Sequence, residues 1–436
     1  MPAHPTFREA LKFWLKLGFI SFVGPAGQIA IMQTELVERK KWIGQERFLH
    51  ALNFCMLLPG PEAQQLAIYC GWLLHRTWGG IVAGALFVLP SAVILWGLSY
   101  VYVAYGSVAW IAAVFYGLKP AVTAIVFAAV LRIGGKALKN GVMWGIAAAA
   151  FGMIFFLQLP FPVIVFGAAG VGFAGGWYAP GKFVLATGHG GAAKTSSDPA
   201  VIDDTAESFL VKPTLSRALR VVAVCGGLWA APIIAVGLWQ GWAGTLAQEG
   251  LFFSKAAMVT FGGAYAVLPY VAQQAVEAHG WLSAPQMLDG LAFAETTPGP
   301  LIMVLQFVGF MGGFHHPGAL PPLMAATLGA AITTWVTFVP CFLWIFLGAP
   351  YLERLRGQKL LTAALNAVTA SVVGVILSLA VWFGWHVIVP TGTWAGVDWF
   401  TLAVGAVAFV ALHRFKVNLI AVIAASGAAG LAWSLV

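Results

Sequence analysis

The sequence predicts an all-α, polytopic membrane protein of two inverted-topology repeats joined by one extra crossing helix. Composition, the spacing of apolar runs and an internal duplication carry that prediction. The chain has 436 residues, 60% hydrophobic and 9% charged, with a mean hydropathy of +0.88. A soluble domain carries about a quarter charged residues, so a water-soluble fold could not cover this much apolar surface. The 51 glycines and 19 tryptophans suit membrane helices, where small residues allow close packing and indoles sit at interfaces.

Apolar runs occur at 11–33, 51–75, 79–103, 108–131, 142–158 and 161–178 in the first half, then at 221–245. The second half has runs at 251–275, 287–312, 323–349, 360–383, 398–413 and 417–435. A spanning helix takes about 20 residues, and most runs reach that, with 398–413 short. The stretch 180–220 is polar and rich in Gly, Ser and Thr, with Lys194, Asp198, Asp203, Asp204, Glu207 and Lys212 among its charges. It reads as a flexible linker. The expected units are a first repeat at 1–179, the linker at 180–220, a connecting helix at 221–247 and a second repeat at 248–436.

The duplication is explicit in the residues. A shift of 239 places Phe13 on Phe252, Lys16 on Lys255, Gly24 on Gly263, Trp42 on Trp281 and Pro59-Gly60-Pro61 on Pro298-Gly299-Pro300. An insertion around His315 and His316, read as a polar loop, then changes the register so that Pro90 meets Pro340. Matched loops swap charge. The loop at 35–50 carries Arg39, Lys40, Lys41 and Arg47, whereas 277–289 has no Lys or Arg. The loop at 132–139 has Arg132, Lys136 and Lys139, and its counterpart at 384–398 has none. The uncharged turn at 104–107 corresponds to 351–359, with Arg354, Arg356 and Lys359. Because cytoplasmic loops collect Lys and Arg, the halves have opposite orientation, with 221–245 supplying the inversion.

Parity then requires one of the first runs of each half to enter and leave on one side. Pro59-Gly60-Pro61 interrupts 51–75, because proline removes an amide donor and obstructs the preceding turn. Gly24-Pro25-Ala26-Gly27 interrupts 11–33, and Gly262-Gly263 interrupts 251–275. Such breaks are tolerated where protein or water meets the freed backbone. Two re-entrant hairpins per half, meeting near the midplane, are therefore expected.

A helix that starts inside a membrane offers unpaired amides and the positive end of its dipole, an anion site. The segments after Pro61 and Pro300 are two such starts, with Gln64 and Gln65 as further donors. Prolines at such positions otherwise simply kink packed helices. Lys16 and Lys255, repeat equivalents inside apolar runs, either face the ligand or snorkel to an interface. Two lysines and two helix starts balance a doubly charged anion. Glu62 and Glu295 flank the breaks; each reads as a proton-coupling residue or a helix cap. Arg76 and Lys119 read as vestibule charges without repeat partners.

Other function classes fit poorly. The net charge of +8 is explained by basic cytoplasmic loops better than by nucleic acid. Cys55, Cys70, Cys225 and Cys341 lie in apolar runs without metal-ligand spacing, so neither a metal nor a cofactor is expected. Gly170-x-Gly172-x-x-Gly175 matches a dinucleotide fingerprint only formally; Gly172 and Gly176 fit helix packing better. No Walker loop, H-E-x-x-H or Ser/His pair points to an enzyme. Lys12 and Lys16 interrupt the first run and no small-residue cleavage site follows, so no removable signal peptide is expected.

The segments F-I-S-F-V-G-P-A-G-Q-I-A from Phe19 to Ala30 and L-L-P-G-P-E-A-Q-Q-L-A ending at Ala67 resemble the first domain of the long-chain chromate ion transporters. V-T-F-G-G-A-Y-A-V-L from Val259 to Leu268 and A-E-T-T-P-G-P from Ala294 to Pro300 resemble the second. The likeness covers essentially the whole chain. Val23-Gly24-Pro25 departs from the family's double glycine, kept here at Gly262-Gly263. The resemblance implies export of chromate across the bacterial inner membrane, giving resistance; the basic loops place the N-terminus and the 180–220 linker on the cytoplasmic side. A sulfate carrier and a passive anion channel are the alternatives, with sulfate a competitor in the first reading. The lipid bilayer is the expected environment; a homodimer is compatible with the chain, though nothing in it demands one.

Overall fold

The computed structural model describes residues 4–22, 24–184, 200–202, 214–351 and 358–435. Val23, Arg354, Arg356 and the linker charges Lys194, Asp198, Asp203, Asp204, Glu207 and Lys212 lie outside the described residues. The described part is helical apart from one isolated bridge between Ile43 and Ile202.

Helix α1 (Phe7–Ile20) begins at Thr6, whose hydroxyl and backbone form a reciprocal capping box with Glu9, satisfying two orphan donors. Ala10, Phe13, Trp14 and Leu17 recur at helical spacing and are buried, while Leu11, Leu15 and Phe19 face outward. The helix ends where Ser21 Oγ donates back to Leu17 O at 2.6 Å. Gly24-Pro25 opens α2 (Gly24–Gln33) rather than lying within the break, since proline is tolerated in a first helical turn. A π-helical turn, Thr34–Arg39, completes the second arm, and Trp42 then meets Phe13 ring to ring at 5.9 Å. The chain has returned to the end from which it set out.

The next two arms do the same. Helix α3 (Gln45–Cys55) runs inward, Pro59-Gly60-Pro61 turns the chain, and α4 (Glu62–Tyr105) begins. Its first arm, 62–74, ends beside the N-terminus, where His75 Nε2 hydrogen-bonds Pro5 O at 3.0 Å. At His75 and Arg76 the backbone leaves helical geometry, and the arm 77–105 doubles back with Gly71 and Gly79 in backbone contact.

The second half repeats this plan. Helix α5 (Ala109–Ala137), the pair α6 (Gly141–Phe155) and α7 (Phe161–Tyr178), and the connecting α8 (Leu215–Gln240) lie between. Then α9 (Thr245–Val259) and α10 (Ala264–Ala272) fold back so that Trp281 meets Phe252 at 5.7 Å, the repeat image of the Phe13–Trp42 contact. Helix α11 (Ala284–Thr296) leads through Pro298-Gly299-Pro300 to α12 (Val304–His315). His315 and His316, expected only as a polar loop, tie this hairpin to its neighbour by bonds to Trp281 O at 2.8 Å and Gly280 O at 3.0 Å.

Helix α13 (Pro322–Gly348) corresponds to the arm 77–105 and lies antiparallel against it. Trp96 Nε1 donates to Thr327 Oγ1 at 3.1 Å, while Phe342 and Phe346 pack on Gly84 and Gly80. The folded-back ends of the two halves therefore face opposite ends of the molecule. The halves also exchange helices. Gly172 and Gly176 of α7 pack on Ala363 of α14 (Lys359–Ile388). Gly405 of α15 (Trp399–His413) and Gly430 of α16 (Leu419–Trp433) pack on Pro120 and Gly117 of α5.

Among the described residues six helices are long and apolar enough to cross a membrane, fewer than the apolar runs. Helices α6, α15 and α16 have 15 residues each, about 22 Å, against a hydrocarbon core of about 30 Å. The linker is not uniformly free. Ile202 is buried, and Gly44 N donates to its carbonyl at 2.8 Å, pinning 200–202 to the loop after α2.

A cavity floored by helix starts

All four interruptions meet at the centre. A Pro-Gly-Pro turn has one backbone N–H, that of its glycine, and both copies direct it into the opposite half. Gly60 N donates to Thr260 O at 2.8 Å, and Gly299 N donates to Ser21 O at 2.9 Å. Ser21 and Thr260 are repeat equivalents, so one contact is made twice. Both middle glycines have left-handed backbone, φ +118 at Gly60 and +109 at Gly299, which a side chain would strain. Cys341 packs on Gly60 and Ser91 on Gly299, again as equivalents in the register that pairs Pro90 with Pro340.

From this crossing a cavity of about 1110 Å³ opens toward one end. Its floor is made of repeat-equivalent pairs: Gly24 and Gly263, Ala26 and Tyr265, Met56 and Glu295, Glu62 and Leu301. The helices that follow the four breaks thus all present their starts to the cavity. First-turn amides have no partner within their helix, and each start carries about half a positive charge. Arg132 and Lys136, one turn apart on α5, line the wall, with His50, Lys139, His413 and Lys416 nearer the mouth. Arg132 reaches the Tyr265 hydroxyl, which donates to Glu295 Oε1. Lys136 acts electrostatically on Glu62.

The predicted site residues separate into three groups. Gly24, Glu62, Gly262, Gly263 and Glu295 line the cavity. The two Pro-Gly-Pro turns, Gly27, Gln64 and Gln65 do not. Gln65 Nε2 donates to Pro59 O at 2.7 Å and so holds the turn, while Gln64 Nε2 lies 3.5 Å from Gly84 O. Lys16 and Lys255 are exposed on the outer faces of α1 and α9, beside Leu15 and Phe19 and beside Leu251 and Met258, away from the cavity. A long lysine stem can follow such an apolar face to the interface. Arg132 and Lys136 entered the sequence reading only as loop charge. Their spacing, which puts both on one helix face at the end of an apolar run, was the available signal. Tyr265, two residues past Gly263, had no such signal.

Comparison with known proteins agrees with the two-repeat architecture. The chain matches the chromate transporter family model over residues 8–173 and 247–431, one segment per half. It is 31% identical over 443 residues to a chromate transport protein of Pseudomonas aeruginosa, covering 99% of this chain and 93% of that one. A chromate transport protein of Cupriavidus metallidurans is 30% identical over 372 residues, 85% of this chain and 81% of its own. A probable chromate transport protein of Synechococcus elongatus is 26% identical over 384 residues, 87% and 86% of the two chains. No solved structure matches the chain. With both halves matched and near-complete coverage of these relatives, the chain belongs to the chromate transporter family.

Proposed function

We propose that this chain is a secondary transporter that exports chromate, with the dianion bound at the cavity floor between the four helix starts. The observation that supports it is the convergence of those starts at the blind end of one cavity. Four half-charges amount to roughly two positive charges, the complement of a tetrahedral dianion. Glu62 and Glu295 offset Lys136 and Arg132, so those side chains set the local potential without neutralising the helix starts. Oxyanions accept several hydrogen bonds from backbone amides at such a position.

The cavity mouth carries Lys139 and Lys416, and basic ends lie on the cytoplasmic side. The molecule is accordingly read as open to the cytoplasm of a bacterial plasma membrane, with its N-terminus and linker on that side. An inside-negative potential is worth about 2.3 kcal/mol per charge per 100 mV, so a dianion leaves downhill without ATP. Crossing then requires the opposite face to open while this one shuts.

Counterflow in proteoliposomes tests the reading. Labelled chromate should exchange saturably, accelerate under a potential of the exporting sign and be competed by sulfate. Saturable sulfate exchange that chromate does not inhibit would identify a sulfate carrier. Conduction without saturation or counterflow would identify a channel. Survival of chromate-exposed cells expressing the chain tests the resistance role separately.

A further inference from the structure

A second, smaller cavity of about 310 Å³ lies at the opposite end, and the internal repeat gives it a meaning. Its wall residues Ala112, Phe115 and Lys119 on α5 are the equivalents of Thr362, Leu365 and Thr369, which line the large cavity. Asp289, on α11, is the equivalent of His50, another residue of the large cavity. The small cavity is therefore the repeat image of the large one in a closed form. What closes it is visible. Phe293 sits with Tyr102, Phe115 and Phe307 at ring separations of 6.0, 5.4 and 5.7 Å, whereas its equivalent, Phe54, packs aside on Tyr69 at 6.4 Å and on Gly348 and forms part of the large cavity's wall. Beyond this aromatic plug, Lys119 Nζ lies 4.0 Å from Asp289 Oδ2, and Tyr102 Oη donates to the same oxygen at 2.8 Å.

The open cavity has no corresponding ion pair, since its residues are Thr369 and His50. Asp289 Oδ1 is buried without a partner, so this carboxylate is held by bonds to one oxygen only. Desolvated charges are held in place by their counter-charge. We propose that the small cavity is the exit side of the pathway, and that Lys119 is its oxyanion-binding residue, masked by Asp289 and Tyr102 until the halves exchange conformations. An outgoing dianion then takes the place of Asp289 on Lys119, so arrival of cargo and release of the latch are one event. The identity of the anion rests on the transport reading above; the latch does not.

The test uses the full chain in membrane vesicles of both orientations, with Met311→Cys, buried on the wall of the small cavity, reporting that cavity and Thr362→Cys the large one. Both are labelled by a membrane-impermeant thiol reagent; the four native cysteines are buried, and the parent chain gives the background. Asp289→Asn should raise labelling of Met311→Cys from the outer face at least fivefold and lower that of Thr362→Cys from the inner face by a similar factor. Tyr102→Phe, which removes one hydroxyl, should shift both about twofold, and Asp289→Glu should restore the parent ratio. Lys119→Gln should open the small cavity equally but weaken protection of Met311→Cys by chromate at least tenfold, while Asp289→Asn keeps that protection. Labelling that fails to change reciprocally in both Asp289→Asn and Tyr102→Phe overturns the latch. Equal protection in Lys119→Gln and Asp289→Asn overturns the anion site. Chromate counterflow by the parent chain is scored apart, so reciprocal labelling without counterflow would sink the chromate reading alone.

Discussion

Replacing Gly299 by alanine probes the interlock between the halves most directly. Gly299 has φ +109, and a Cβ there would fall 2.5 Å from Ser91 Cβ and 2.7 Å from its hydroxyl. The backbone conformation costs an L-residue roughly 1–3 kcal/mol. Forcing a methyl into a filled site costs roughly 1–3 kcal/mol more. Backbone relaxation offers little relief, because Gly299 N–H is bonded to Ser21 O at 2.9 Å and Gly299 O accepts from Gln28 Nε2 at 2.7 Å. The sum is about 2–6 kcal/mol, a fall in apparent Tm of roughly 2–7 °C for a chain of this length.

Tryptophan-fluorescence melting in detergent of the parent, Gly299→Ala, Ser91→Gly and the double variant separates the two contributions. The double variant should recover the steric share and keep the backbone share. Gly97→Ala is the control, since nothing lies within 4 Å of a Cβ built there; alanine within a helix gains roughly 0.5–1 kcal/mol over glycine. Unchanged melting of Gly299→Ala would refute the interlock. Complete recovery in the double variant would refute the backbone argument alone.

Further substitutions bear on the cavity. Arg132→Gln and Lys136→Gln should each weaken apparent chromate affinity several-fold, since each removes a positive charge from the wall of the chamber the dianion enters; initial rates into inside-out vesicles against chromate concentration measure this. Glu62→Gln and Glu295→Gln remove negative charge from the chamber the dianion enters, so affinity should tighten several-fold in the same assay, and weakening would reverse the assigned electrostatics. Lys16→Ala and Lys255→Ala should transport within about twofold of the parent, because both side chains lie on outer faces; a loss greater than tenfold in either would place a lysine back at the substrate.

The topology was readable because the features that set it are local. Pro-Gly-Pro breaks a helix wherever it occurs, and the matched spacing of Phe13 and Trp42 with Phe252 and Trp281 marks the duplication without reference to packing. The same locality explains the errors. Lys16 and Lys255 are duplicated as faithfully as the glycines, but duplication says only that two positions share an environment. Here that environment is the outer surface. Direction around a helix decides between cavity and exterior, and α1 gave a usable signal: Phe13, Trp14 and Leu17 define a buried face on which Lys16 does not lie. Gln65 shows the reverse. A polar side chain beside the break suggested a ligand donor, yet it satisfies the turn's own carbonyl. Tyr265 could not have been found, since its role depends on Arg132 and Glu295 arriving from distant helices. The starts at Gly24 and Ala264 were half-legible: the breaks were evident, but their meeting with the other two at one floor is a tertiary fact.

The repeat also bears on what sets the resting state. If the opposite state exchanges the conformations of the halves, a contact made by both members of an equivalent pair survives the exchange. The bonds from Gly60 to Thr260 and from Gly299 to Ser21 are of that kind, so they form a pivot that favours neither state. Bias must come from contacts without a counterpart. Gln28 donates to Gly299 O, but its equivalent is Val267; Gln65 donates to Pro59 O, but its equivalent is Val304. Lys119 and Asp289 pair across the closed cavity, where their equivalents Thr369 and His50 cannot form an ion pair. Hydrogen bonds of this sort contribute about 1 kcal/mol each, somewhat more with a charged partner. Together they favour the form in which the large cavity is open by a few kcal/mol, a gap of the size that differential binding of one ligand can reverse. Symmetry supplies the two states, and a handful of unsymmetrical side chains decides which one waits for cargo.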